Sequence, residues 1–370
     1  MLARGRLVLE EAIVPGRLHV EDGRIAALEP DEAERDGPFI APGFADLHVH
    51  GWGGHDAMGS SRDLDGMARA LLRHGVTAFL PTAVTADLDV LAGFAERVRA
   101  WLPVATADGA LPLGFNLEGP FISPHRKGAQ DPAHIVAPAS VPRERLAPLL
   151  DGMRVMTVAP EGDGAVELIR WLAGQGVVVS LGHSAATLDE ARAGYAAGAR
   201  STTHLFNAMS GVDHRAPGLA VAALVDDAVA VELIADGQHV HPALWPIVAR
   251  TKAPGRLLLV SDALPAAGTG DGPTAIGGLA VEIAGRRATL AGSDTLAGSV
   301  IALDSAVRNL VAAGLGLPTA VAAAGRDPLA LLGVTDRGRL AVGQVADLVE
   351  LDDALEVRRV ARAGEWLSPR

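Results

Sequence analysis

GVVVSLGHSAATLDEARAGYAAGA, residues 176–199, is one complete strand–loop–helix unit, and the remainder of the chain can be read outward from it. Its opening, 176–182, is a continuous apolar run dominated by Val, the pattern of a strand buried on both faces. His183 ends the run. From Thr187 onward Leu, Ala and Tyr recur at helical spacing, and Gly198 closes the stretch as the residue favoured just past a helix. Ser184, immediately after the histidine, reads as the helix N-cap. It lacks the GxSxG context of a hydrolase nucleophile.

The same grammar repeats in both directions. Apolar runs at 44–49, 76–80, 111–117, 153–159, 199–205, 229–235 and 256–261 join 176–182 to make eight. Between them lie helical stretches such as DLDGMARALLRHG (63–75), LAGFAERVRAWL (91–102) and GAVELIRWLAGQG (164–176). Eight βα units over about 290 residues predict an α/β fold of the (β/α)8 barrel type, which takes ~250 residues before insertions. An open doubly wound sheet is the alternative topology. The two ends are written differently. RLVLE (6–10), GRLHVEDGRIAALEP (16–30) and GQVADLVELDDALEVRRVARAGEW (343–366) alternate apolar and polar residues between turns, as short antiparallel strands do. Residues 1–42 and 335–370 are therefore expected to form one small β-sandwich domain around a barrel at 43–334, since termini often lie close together.

Six metal-ligand residue types sit at the ends of the runs: His48 and His50 in FADLHVH, Glu118 in GFNLEGP, His183, His204 in STTHLFNAM and Asp262 in LLLVSDA. Imidazole and carboxylate suit zinc, iron and manganese. His48 and His50 are two apart, so on a strand they share a face. Taken singly, a histidine here is a hydrogen-bonded structural residue and an aspartate a helix cap. Six at matching positions are not explained that way. A closed barrel brings ligands from its first, third, fifth, sixth and eighth strands to one rim, which an open sheet does not easily do.

At this point the chain resembles a known family. FADLHVH, the single histidines ending the fifth and sixth runs and the aspartate ending the eighth are similar to the amidohydrolase superfamily. APGFADLHVHGWGG, NLEGPFISPHRKGA, THLFNAMS, DGQHVHP and LVSDALPAAG, in that order, resemble the N-acetylglucosamine-6-phosphate deacetylases within it. The resemblance implies a divalent metal, one or two per subunit, zinc first with iron or manganese as alternatives. Glu118, His183 and His204 would hold the principal ion, His48 and His50 a second. Asp262 would be general base and acid for a metal-activated water that removes acetate from N-acetylglucosamine 6-phosphate. Arg215 in DHRAPG and His239 in DGQHV match a phosphate-binding pair, and Asn207 and Ala208 a sugar contact. Two departures stand out. Gln130 in KGAQ occupies the place of a histidine that helps polarise the acetyl carbonyl, and VIAL replaces an SLTM-like segment, with Ile301 a candidate for the acetyl-methyl pocket. The resemblance also implies a homodimer in which Arg215 or His239 acts across the interface.

Composition narrows the alternatives. The net charge of −12 argues against nucleic acid as the main partner. The chain has no cysteine, which removes disulfides, thiolate sites and a cysteine nucleophile. MLARGRLVLEEA has no apolar core of a signal segment, and no run approaches the ~18 apolar residues of a membrane span, so a cytoplasmic protein without membrane contact is expected. GWGG (51–54) has no GK[ST] after it and reads as a tight rim loop rather than a nucleotide loop. Asp236 reads as a turn residue. His55, His74, His125, His134, His214 and His241 read as exposed loop or helix residues. The rival functions are an amidohydrolase for another substrate, such as N-acetylgalactosamine 6-phosphate, and a non-catalytic sugar-phosphate sensor that has no need of a proton shuttle.

Overall fold

The computed structural model describes residues 1–367, so the last three residues of the segment expected in the small β-sandwich lie outside the described part. Every one of the eight runs holds a strand: β1 (Phe44–Val49), β2 (Val76–Ala83), β3 (Phe115–Glu118), β4 (Met153–Val158), β5 (Val178–Leu181), β6 (Ser201–Thr202), β7 (Ala230–Leu233) and β8 (Leu257–Leu259). Each pairs with the next in parallel. The two ends of this sheet meet where the Asp262 N–H donates to the His48 carbonyl at 2.8 Å and the His50 N–H donates to the Ala263 carbonyl at 2.9 Å. That contact makes the sheet a barrel. The third run is interrupted: Leu111–Pro112 pairs only with β2, and Gly114, at φ 125°, turns the chain into β3.

The barrel interior is graded along its axis. Leu47, Leu80, Val155, Val178, Ala230 and Leu258 fill the lower part, closed below by Leu331 and Leu332 at the end of the helix Arg326–Leu331. Above them the lining turns polar. Thr157 and Thr203 share a hydroxyl hydrogen bond of 2.9 Å, Thr203 donates to Ser180 at 2.7 Å, and the Asn116 amide donates to the Leu47 carbonyl at 3.0 Å. These hydroxyls and the Asn116 amide nitrogen are paired, which keeps their desolvation cost low, while the Asn116 Oδ1 is buried without a partner. The ligand residues stand above this layer, at the C-terminal ends of the strands.

Helices wrap the outside with apolar faces inward. Leu88–Trp101 buries Leu91, Phe94, Ala95, Val98 and Trp101, and Phe94 meets Phe115 edge to face at 5.5 Å. The helix Leu188–Ala196 starts one turn later than expected. Thr187, not Ser184, is its N-cap, and Thr187 and Glu190 form a reciprocal capping box. Ser184 instead donates to Glu161 at 2.7 Å and accepts the Ala186 N–H, so it shapes the loop beside His183.

The strands of both chain ends form one seven-stranded sheet in the order Glu365–Leu367, Val357–Arg362, Leu348–Leu351, Phe39–Pro42, Leu2–Val8, Ile13–Glu21, Arg24–Pro30. The sheet-rich unit expected from the termini is present, but it is built from a single sheet. The sheet curls over a core of Ala3, Leu7, Leu18, Val20, Ile25, Ile40, Leu348 and Ala361 until the turns of its two outer hairpins touch, Gly23 against Ala363. A second β element lies outside the predicted runs. Gly272–Ile276, Leu279–Ala284 and Arg287–Leu290 form a three-stranded antiparallel sheet between β8 and the helix Leu303–Ala312. No helix among the described residues is long and apolar enough to cross a membrane.

Candidate metal centre and substrate cavity

His48, His50, Glu118, His183, His204 and Asp262 converge at the upper end of the barrel. All are buried, with Asp262 the most accessible at 7%. The first two come from β1 and the loop after it, and Glu118 ends β3. The other three each follow a strand in left-handed backbone: His183 at φ 46°, His204 at φ 30° and Asp262 at φ 50°. Residues with a side chain adopt that region at a cost, and they persist there where the surroundings fix them. The sharp turn aims each side chain back over the barrel mouth.

Glu118 is the hub. Its Oε1 lies 3.0 Å from His183 Nε2, 3.0 Å from His204 Nε2 and 3.4 Å from His48 Nε2, while Oε2 lies 3.3 Å from His50 Nε2. Asp262 Oδ1 is 3.1 Å from His50 Nε2 and 3.6 Å from His48 Nε2. Burial would raise the Glu118 carboxyl. The facing His48 and His183, with hydrogen bonds from His183 and His204, outweigh it and hold Glu118 well below the usual range. Asp262 behaves alike: burial opposes its charge, but His48 and His50 prevail and its pKa is lowered. Burial works against a charged His50, yet its bonds to Asp262 and Glu118 raise it to about 9.

The donor set fits a divalent ion. Two triads, His48–His50–Glu118 and Glu118–His183–His204, each bring three ligand atoms within 4.8 Å of one another. The outer ring nitrogens explain why the inner ones are available. His50 Nδ1 sits 3.1 Å from the Thr82 carbonyl and His183 Nδ1 2.9 Å from the Arg126 carbonyl. A carbonyl only accepts, so each Nδ1 carries a hydrogen and each Nε2 is the ring atom turned inward, the one that would face a bound ion. His48 Nδ1 is held by Glu232 at 3.1 Å, and its Nε2 is buried without a hydrogen-bond partner. Glu232 had no place among the predicted site residues. Its signal in the sequence is a lone charge inside the apolar run 229–235.

A cavity of about 580 Å³ opens above this centre, lined by His50, Glu118, Gln130, His183, His204 and Asp262. Asn207, Ala208 and His239 also line it, as their motifs implied, with His125, and Arg126 and Lys127 add cations the sequence reading did not assign. Asp236 accepts the Gln238 and His239 backbone N–H groups and holds His239 Nδ1 at 2.7 Å, so it both makes the turn and orients the ring. Two expected residues are not in the wall. Ile301 is packed in the core, and the apolar wall is Ala129, Ile276 and Leu296, two of them from the extra sheet and the loop after it. Arg215 is exposed on the loop after β6, donating to the neighbouring His214 ring at 3.0 Å. Gly51, Gly53 and Gly54 do form a tight rim loop: a Cβ at Gly51 would fall 2.5 Å from Pro265 Cα, and Gly53 and Gly54 have φ 63° and 87°. Of the histidines expected to be exposed, His125, His214 and His241 are. His55, His74 and His134 are half-buried, because each packs beside a carboxylate: Asp63, Asp304 and Asp131.

A parallel barrel with this ligand set at its C-terminal rim defines a metal-dependent hydrolase of the amidohydrolase class, and the chain belongs to the amidohydrolase family, whose model matches residues 39–367. Within that family its relatives are amino-sugar-phosphate deacetylases. The bovine (Bos taurus) N-acetylglucosamine-6-phosphate deacetylase is 40% identical, over 98% of this chain and 90% of that protein. An N-acetylgalactosamine-6-phosphate deacetylase of Escherichia coli O157:H7 is 39% identical over 100% and 99%. Among solved structures, an aspartate-to-alanine mutant of the Mycobacterium smegmatis N-acetyl-D-glucosamine-6-phosphate deacetylase, in complex with N-acetyl-D-glucosamine-6-phosphate, superposes with a TM-score of 0.92 at 36% identity, covering 100% of this chain and 99% of that one.

Proposed function

We propose that this protein removes the acetyl group of N-acetyl-D-glucosamine 6-phosphate, giving D-glucosamine 6-phosphate and acetate. The observation that carries the reading is the position of Asp262. It shares the cavity floor with the Glu118–His183–His204 triad, where a substrate amide can reach both. Glu118, His183 and His204 hold the principal ion, zinc by preference, and His48 and His50 provide for a second. A bound divalent ion supplies a Lewis acid that polarises the acetyl carbonyl and lowers the pKa of water.

The remaining steps belong to side chains. Asp262, held ionised, accepts a proton from the attacking water as the new C–O bond forms. It then gives that proton to the amide nitrogen as the C–N bond breaks, so the sugar leaves as an amine and the acyl part as acetate. Asn207 and Ala208 position the sugar ring, and His239, fixed by Asp236, meets the phosphate. Arg215 completes the phosphate site from the second subunit of a homodimer. Its exposure, and that of Val212 at 67% on the same loop, support a partner surface there. As part of this reading, residues 1–42 and the described part of 335–370 form the small β domain and 43–334 the catalytic barrel.

The test is acetate release from N-acetylglucosamine 6-phosphate beside the unphosphorylated sugar, on metal-loaded and chelated protein. Release that needs both phosphate and metal is expected; no release from metal-loaded protein would move the search to other amides. The Escherichia coli relative favours a second reading, in which the epimer N-acetylgalactosamine 6-phosphate is preferred. A higher kcat/KM for that sugar would establish it.

A further inference from the structure

Gln130 is 5% exposed and makes two hydrogen bonds that together fix its orientation. Its Oε1 accepts the Thr85 backbone N–H at 2.8 Å. A backbone N–H can only donate, so this bond identifies the oxygen end of the amide. The NH2 end therefore faces Glu118 and donates to Oε2 at 2.5 Å. Thr85 locks the same corner from the other side, its hydroxyl donating to the Glu118 carbonyl at 2.8 Å. The two hydrogen bonds of Gln130 run to the ligand carboxylate and to the loop that follows β2.

This makes the two oxygens of Glu118 unequal. Oε1 faces His183 and His204, each at 3.0 Å, with His48 further off at 3.4 Å. Oε2 faces His50 at 3.3 Å and is the oxygen that Gln130 occupies. A carboxylate that serves two ions gives one oxygen to each. A short N–H bond to one oxygen uses a lone pair and draws electron density away from a second cation. We infer that Gln130 is a positioning residue that sets the metal stoichiometry. It leaves Oε1 to the His183–His204 half and weakens Oε2, the oxygen that faces His50, as a ligand for a second ion, so the chain takes one ion tightly and a second weakly. The inference rests on the metal-centre reading above.

The experiment is a zinc titration of metal-stripped protein against a chromophoric chelator, which resolves the two binding steps without reference to activity. Wild type should show a tight and a weak step. Gln130→Met, which keeps the length and apolar bulk but makes neither hydrogen bond, should weaken the first step about tenfold, as loss of a partner to a ligand does. It should also tighten the second, so that the steps converge. Gln130→Glu, which keeps an acceptor for Thr85, should tighten the second step with the loop tie retained. It serves as the second variant if Gln130→Met does not fold. Two equal steps in wild type, both steps weakened by one factor in Gln130→Met, or no change in either variant would overturn the inference. Wild type that takes up no zinc would instead overturn the metal-centre reading on which it stands.

Discussion

Asp262 carries two signs of a functional residue: a left-handed backbone at φ 50° and a pKa that is lowered although the group is buried. Asp262→Asn keeps the shape and removes the proton acceptor. Turnover should fall by about 10²–10⁴ with metal content unchanged by elemental analysis; near-normal turnover would defeat the assignment. Glu232 works one step further out. It holds His48 Nδ1 at 3.1 Å and accepts the His204 N–H at 3.2 Å, so one carboxylate steadies ligands on two strands. Glu232→Ala should cost about 10–100-fold in metal affinity, measured by chelator competition, while leaving every ligand atom in the sequence. The contrast shows what a sequence can reveal at this scale. His48, His183 and Asp262 stand out because each ends an apolar run. Glu232 lies inside one, on the barrel-lining face of β7, and its role appears only when β1 is brought beside it. Arg215 and Ile301 illustrate the opposite limit: motif position names a residue without saying whether its own chain carries it into the cavity.

Strands and helices were legible because their periods differ. All eight apolar runs hold barrel strands, and the helices between them follow their 3.6-residue stripes. The boundaries were harder. Ser184 and Thr187 are both competent caps, and what selects Thr187 is Glu190, whose carboxylate closes the box three residues on. The three-stranded sheet at 272–290 was missed although GPTAIGGLAVEIAGRRATL alternates about Gly277–Gly278 and Gly285, because attention to long apolar runs passes over half-exposed strands. Packing between elements makes its own prediction. Asp304, on the helix Leu303–Ala312, is 5% exposed and faces His74 at 3.3 Å and Arg308 at 3.1 Å. Burial pushes its carboxyl up, but those partners outweigh it and lower its pKa below the ordinary 3.8. A carboxylate depressed in the folded state stabilises fully above its unfolded pKa and loses that contribution as pH falls through the folded one. Asp304→Asn should therefore melt at a lower temperature than wild type at pH 7, and the gap should shrink below about pH 4. A gap independent of pH would mean that packing, not charge, holds the helix there.

At the scale of the whole molecule, a barrel closed below by Leu331 and Leu332 leaves its upper mouth as the place for chemistry, and the cavity there already has Arg126 and Lys127 in its wall. His239 lines that cavity from its own chain, held by Asp236. Arg215 does not, although Asn207 and Ala208, a few residues earlier on the same loop, do. A permanently charged guanidinium and an apolar Val212, both exposed on one loop outside their own chain's cavity, are what a subunit adding a further cation to its neighbour's phosphate site would present. Mixed dimers decide this. Arg215→Ala should raise KM for the phosphorylated sugar more than it lowers kcat, and Asp262→Asn should abolish turnover. When the two inactive or impaired chains are unfolded together and refolded, a mixed dimer pairs the intact Asp262 of one subunit with the intact Arg215 of the other. If Arg215 serves the partner's cavity, about half of the molecules regain one fully assembled site by random pairing, and the low-KM activity reappears. If Arg215 serves its own cavity, no mixture contains a complete site and the low-KM activity stays absent at every ratio of the two chains.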